Sequence, residues 1–258
     1  ILDSKFGFAI DNGDAEKAIN LIENMNNLNL IGIHFHLGSP LFSTIPYVLG
    51  IKKVIEFLSQ FKKLQLKEFS PGGGFAVSYT VKDKTPSVKE YAEAICNALN
   101  ESLDFYNFPK PKLIIEPGRA ITGPAGVAIY SVGAIKNIEN VRKYISVDGG
   151  MGDNIRPALY GAKYEAVVIN RLWDERPKEK VTIVGKYCES GDILVKDILL
   201  PEIKSGDIIA IPVSGAYSTS MASNYNMNPR PVIVSVKDGM DSIIRKRESL
   251  SDLFKMDV

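Results

Sequence analysis

The chain has 258 residues, 45% hydrophobic and 24% charged, as in a folded globular protein with room for one large or two medium domains. Its 31 basic residues nearly cancel 30 acidic ones, leaving a net charge of +1. No long-range field gathers nucleic acid or an anionic membrane, so neither partner is expected. Two cysteines make no disulfide framework, and with no apolar run near 18 residues and no signal-peptide pattern the expected location is the cytoplasm.

The first residue is Ile1, not Met, and ILDSKFGFAI (1–10) reads as a strand. Ala15, Ala18, Ile19, Ile22 and Met25 then recur at helical spacing over 14–28, with Asp14 as the expected N-cap. LIGIHFH (30–36) reads as a buried strand, and Val48, Ile51, Ile55 and Leu58 mark the next helix. LKEFS (66–70) is a short strand that runs into PGGGF. Ser87 can cap a helix carrying Tyr91, Ile95 and Leu99, and KLIIE (112–116) is a strand that runs into PGR. Strands alternating with helices predict parallel βα units, about four before residue 120. A closed (β/α)8 barrel needs eight, so this part is either a small open sheet or half a barrel.

Beyond residue 120 the rhythm changes. GVAIYSVGAI (126–135), KYISVD (143–148), YEAVVINR (164–171), KVTIVGKY (180–187), DIIAIPV (207–213) and PVIVSV (231–236) are strand-like with little helix between them. They predict a β-domain of sandwich or barrel type. The tail ESLSDLFKMD (248–257) reads as about one helical turn. The expected division is 1–122 and 123–258.

Three unusual clusters follow directly on apolar strands: HFHLGS (34–39), SPGGGF (70–75) and EPGR (116–119). In parallel α/β folds, chemistry collects at the carboxyl ends of strands. Gly72, Gly73 and Gly74 can bring backbone N–H groups close to an anion, or can simply make a tight turn. Gly118 after Pro117 repeats the arrangement one strand on, which favours a phosphate site. His34 and His36 alternate on a strand and share a face; each is a core histidine or a site residue. No cluster of Cys, Asp or Glu has metal-ligand spacing beside them, so no metal is expected. Glu116 ends an apolar strand, where a carboxylate needs a partner. That partner is either Arg119 or a protonated ring nitrogen of a cofactor.

HFHLGS, PGGGF and EPGR occur in order with DGGMGDNIRPALYGA (148–162), CESGD (188–192), LP…GD (200–207), SGAYSTSMASNYN (214–226) and IRKRES (244–249). Together they resemble the barrel-type pyridoxal-phosphate-dependent decarboxylases, which act on diaminopimelate, ornithine or arginine. The resemblance spans essentially the whole chain. It implies an α/β plus β fold: the C-terminal part of a pyridoxal-phosphate-binding (β/α)8 TIM-type barrel followed by a β-sandwich or β-barrel domain. The family's Schiff-base lysine lies in a Tyr-Ala-x-Lys-Ala context on an early barrel strand. This sequence has no such segment, so the resemblance implies an N-terminally truncated chain, and no lysine here is given that role.

The resemblance further implies pyridoxal 5'-phosphate as cofactor. His36 would stack on its pyridine ring and Glu116 would pair with the ring nitrogen. Ser39, Gly72, Gly73, Gly74, Arg119 and the backbone around Pro117 and Gly118 would hold its phosphate, with Tyr217 contacting phosphate and substrate. Arg119, Arg156 and Tyr160 would bind the substrate's distal carboxylate end, Glu189 its distal ammonium, and Cys188 would deliver a proton to the carbon that loses CO2. In this family the Cys-Glu pair enters the site from the partner subunit of a homodimer. The sequence departs from the family in HLGSP, in the Ser before PGGGF, and in Lys163-Tyr164 where relatives often carry His. Two arginines with one glutamate suit a substrate bearing a second amino-acid head, so meso-2,6-diaminopimelate, decarboxylated to L-lysine in lysine biosynthesis, is favoured. A related basic amino acid is the other substrate reading. A non-catalytic scaffold without the Schiff-base lysine is the other class.

Overall fold

The computed structural model describes residues 4–172 and 176–258. They form two compact units: one runs through Val77 and resumes over Lys84–Ala120, the other comprises Ser78–Asp83 and Ile121–Val258.

The first unit is parallel α/β. The expected strand at its start is not formed over residues 4–10, and residues 1–3 of that expectation lie outside the described residues. Gly7 adopts a φ of +66°, which breaks the extended alternation, and Phe6 and Phe8 stay exposed. Helix α1 (Asp14–Glu23) is shorter than its apolar pattern. Its N-cap is Gly13 rather than Asp14, and the Asn12 side chain accepts the Asp14 N–H at 3.0 Å. Strands β1 (Gly32–His34), β2 (Glu68–Ser70) and β3 (Lys112–Leu113) pair in parallel in that order. Three units, not about four, are therefore present among the described residues. β1 also covers less than 30–36 and is only partly buried.

The crossovers carry helices α2 (Ile45–Leu58) and α3 (Val88–Phe105). Pro46 fits the first turn of α2, where its missing N–H costs nothing. Ser87 caps α3 as expected, in a reciprocal box with Glu90. Tyr47, Ile51, Ile55 and Leu58 of α2 close a core with Tyr91, Ile95 and Leu99 of α3 and Phe69 of β2. Each such side chain contributes about 1.5–3 kcal/mol by leaving water. Phe75 stacks on Tyr91 with centroids 4.7 Å apart, so the chain just past the glycines is anchored in that core.

A five-residue helix α4 (Gly118–Thr122) precedes the long strand β4 (Ala128–Ile138) of the second unit. With β5 (Arg142–Val147), β6 (Val167–Val168), β7 (Lys178–Val184), β8 (Ile193–Pro201) and β9 (Ile208–Ile211) it forms a six-stranded sheet ordered β6-β9-β4-β5-β7-β8. Helix α5 (Arg156–Tyr160) lies between β5 and β6, and β10 (Ile233–Lys237) and β11 (Met240–Arg245) make a separate hairpin before α6 (Leu250–Leu253). The expected strand over 164–171 shrinks to β6. Asn170 and Arg171 instead turn their side chains onto the buried Asp207 carboxylate, at 3.2 and 3.0 Å, in a 3-10 turn. The hexapeptide Ser78–Asp83 joins this unit folded on itself: Asp83 accepts the Tyr79 and Thr80 N–H groups at 2.9 and 2.8 Å, and Val81 donates to Glu165 at 3.1 Å. No helix among the described residues is long and apolar enough to cross a membrane.

Candidate active site

The ends of β1, β2 and β3 bring the three clusters together. His34 closes β1 opposite Ser70 of β2, and beyond the strands Gly73 pairs with Glu116 in a parallel bridge. That register sets His34 Nε2 3.3 Å from Glu116 Oε2. Glu116 is thus partnered by an imidazole from the far strand. Both groups are about half exposed, at 51% and 54%, so their mutual attraction is worth about 1 kcal/mol or less. Arg119 is buried and donates through Nη2 to Ser39 Oγ at 3.2 Å. His36, also exposed, accepts the Gly73 N–H through Nδ1 at 3.3 Å.

The glycine turn is more enclosed than its composition suggests. The Gly72 N–H goes to Ser70 Oγ at 3.2 Å and the Gly73 N–H to His36, so both are engaged inside the protein. A Cβ on Gly72 would lie 2.6 Å from the Phe35 carbonyl, and Tyr47 Oη donates to the Gly73 carbonyl at 2.7 Å from below. Gly74 takes a φ of +94°, and a Cβ on it would lie 2.1 Å from the Gly38 carbonyl. A Cβ on Gly118 would meet nothing within 4 Å, so α4 begins in open space. An imidazole, a carboxylate, a hydroxyl fixed by a guanidinium and open glycine backbone therefore share one face of three adjacent strand ends. That donor set fits a phosphorylated heteroaromatic ring with a protonated nitrogen. No His, Cys, Asp or Glu group suited to a metal ion occurs among the described residues.

The second unit holds the other expected residues. Cys188 and Glu189 lie exposed on the turn after β7. The Cys188 N–H donates to Asn226 Oδ1 at 3.1 Å and Tyr225 Oη to Glu189 Oε2 at 3.4 Å. Beneath them the buried Asp192 carboxylate accepts Met151 N at 2.7 Å and Tyr187 N at 2.9 Å, which ties the 148–153 loop to the 187–192 loop. Burial pushes the Asp192 carboxyl up, and those two donors pull it partly back. Burial, with Asp153 and Asp192 nearby, pushes the Tyr187 hydroxyl up to about 12. Tyr217 is partly exposed with a φ of +61°, held in a turn whose Ser214 and Gly215 N–H groups bond the Gly126 and Gly123 carbonyls at 2.8 and 3.1 Å. Tyr160 is exposed on α5, whereas Arg156 on the same helix keeps only 6% of its surface.

Sequence reasoning missed His34 as the Glu116 partner, Asp192 as a loop tie, Tyr225 and Asn226 as neighbours of the Cys-Glu pair, and Tyr79 and Tyr164 around Arg156. Asn226 had a signal: it stands in SGAYSTSMASNYN, a segment already singled out. Tyr79 had none, because its hexapeptide reads as an ordinary loop.

Residues 2–123 match the family described as pyridoxal-dependent decarboxylase, pyridoxal binding domain. The chain is 45% identical over 259 residues to the diaminopimelate decarboxylase of Bacillus subtilis (strain 168), covering 99% of this chain and 59% of the relative. It is 44% identical to that of Bacillus methanolicus, covering 96% and 58%. Among solved structures it is similar to diaminopimelate decarboxylase from M. jannaschii in co-complex with L-lysine, with a TM-score of 0.93 and 34% identity, over 99% of this chain and 58% of that one. Likeness to the lysine/ornithine decarboxylase of Vibrio vulnificus complexed with cadaverine is lower, with a TM-score of 0.73 and 26% identity, over 89% and 60%. The chain thus spans about three fifths of the length of the relatives it matches.

Proposed function

The chain belongs to the barrel-type pyridoxal-dependent decarboxylases, and from that premise we propose that it serves the decarboxylation of meso-2,6-diaminopimelate to L-lysine and CO2, in the cytoplasm, as a homodimer with the active site at the subunit interface. The observation that carries this reading is the convergence of His36, Glu116 and the Ser39–Arg119 pair at three adjacent strand ends. Bound pyridoxal 5'-phosphate supplies an electron sink for the charge left when CO2 departs. Glu116 would keep a ring nitrogen protonated, which strengthens that sink, and His36 would lie against the ring. Ser39, Arg119, Gly74 and the backbone around Gly118 suit the phosphate, although Pro117 has no N–H and the Gly118 N–H itself goes to the Glu116 carbonyl at 2.9 Å. Gly72 and Gly73 act by shaping the turn, since their own N–H groups are engaged.

For the substrate, Arg156 and Tyr160 suit the distal carboxylate and Glu189 the distal ammonium, with Tyr217 near substrate and phosphate. Arg119, which donates to Ser39 through Nη2, serves the substrate's distal carboxylate as well as the cofactor. The Cys188 thiol is the proton donor to the carbon that loses CO2, contributed with Glu189 by the partner subunit.

The test is a substrate comparison on the purified holoenzyme. meso-Diaminopimelate should be converted to lysine with kcat/KM at least about 100-fold above that for lysine itself, because a substrate without the second carboxylate leaves a buried guanidinium unpaired. Faster release of cadaverine from lysine, or of putrescine from ornithine, would replace this reading with that of a basic-amino-acid decarboxylase. No CO2 from any of the three would leave the non-catalytic scaffold.

A further inference from the structure

We propose that Tyr79 and Tyr164 are positioning residues for Arg156, which hold its guanidinium so that a substrate carboxylate meets its unoccupied edge. The inference rests on the reading of Arg156 as a carboxylate-binding residue. Arg156 is buried, yet no acidic side chain pairs with it among the described residues. Buried cations are ordinarily matched by an internal anion, because an unmatched one costs free energy. Here the surroundings are aromatic instead. The guanidinium carbon lies 4.7 Å from the Tyr79 ring and 5.5 Å from the Tyr164 ring. The two rings cross at 79° with centroids 5.1 Å apart. One Nη1 N–H donates to Tyr164 Oη.

The arrangement leaves a definite shape. Tyr79 covers a face of the guanidinium, and Tyr164 takes one corner. The N–H groups that remain lie in the guanidinium plane, which is the direction from which a carboxylate binds in two-pronged fashion. Arginine's long side chain would otherwise sample many rotamers, and fixing it beforehand removes that cost from substrate binding. Tyr79 is itself held in place by its hexapeptide, through Asp83 and the Val81–Glu165 bond. The ligand that completes the site is the distal α-carboxylate of a diamino diacid.

Four variants of the holoenzyme test this: Tyr164→Phe, Tyr79→Leu, Tyr79→Phe and Arg156→Lys. Steady-state kinetics with meso-diaminopimelate are read beside competitive inhibition by pimelate, a diacid that cannot react. Tyr164→Phe should raise KM and the pimelate Ki together by about tenfold, as expected for one charge-assisted hydrogen bond, with kcat within about twofold. Tyr79→Leu should do the same, and Tyr79→Phe, which keeps the ring, should restore most of the loss. If both KM and Ki stay at wild-type values in Tyr164→Phe and Tyr79→Leu while Arg156→Lys raises them, Arg156 binds the carboxylate unaided and the proposal is overturned. A fall in kcat with KM and Ki unchanged marks a merely structural role and also overturns it. If Arg156→Lys itself leaves KM and Ki untouched, the reading of Arg156 fails and the proposal goes with it.

Discussion

Gly73 has no room for a methyl group. A Cβ there would run into the Glu116 carbonyl, which is backbone held by the Glu116 N–H bond to Gly72 at 3.1 Å. Gly73→Ala should therefore lower stability by about 2–4 kcal/mol, well beyond an ordinary surface substitution, measured as a shift in the urea midpoint with unchanged slope. A loss under about 0.5 kcal/mol would mean that the turn yields freely. The run of glycines was conspicuous in the sequence, but its reason was only half legible. Gly72 and Gly73 are small because residues 35, 36 and 116 pass close by, and contacts between segments so far apart leave no local trace. The same limit governs Glu116. Sequence proximity pointed to Arg119, whereas space supplies His34, 82 positions away. Residue types at the strand ends could be named in advance; their pairing could not.

At the scale of elements, one carboxylate pins the C-terminal segment. Glu248 accepts the Arg230 N–H at 2.8 Å, Arg230 Nε at 2.7 Å and Asn224 Nδ2 at 2.7 Å. The Arg230 guanidinium and backbone pull its pKa down to about 2. A carboxylate whose folded pKa lies below its unfolded value stabilises the fold above the unfolded pKa, and that contribution disappears as pH falls through the folded one. Stability should thus drop between about pH 4.5 and pH 2 by way of Glu248, and Glu248→Gln should flatten that part of the pH profile in urea unfolding. Equal slopes in wild type and variant would remove Glu248 from the acid response. Regular elements were the readable part of this chain. α2 and α3 have apolar residues at helical spacing, and α3 carries its cap in Ser87 and Glu90. β8 was missed because Asp197 takes a φ of +55° beside a register shift against β7, which spoils the two-residue alternation. β11 was missed because its side chains are almost all exposed and carry no alternating pattern.

At the scale of the whole molecule, the proposed homodimer makes a specific demand. If Cys188 and Glu189 serve the partner's site, a Glu189→Ala subunit and a Glu116→Gln subunit, each inactive alone, should complement one another. Equal mixing gives half mixed dimers, each with one intact site of two, so activity should recover to about a quarter of wild type. Mixed dimers isolated by two affinity tags and found inactive would place the Cys-Glu pair in its own subunit's site. One feature of the chain's course also bears on how the protein is made. Ser78–Asp83 is synthesised well before Ile121, yet it belongs with the unit that Ile121 begins. The Val81–Glu165 bond closes a loop 84 residues long. The entropy of that closure must be met before the contact returns anything, which slows folding. A ribosome releasing this chain therefore holds a six-residue piece in waiting until the strand-rich half has emerged to receive it.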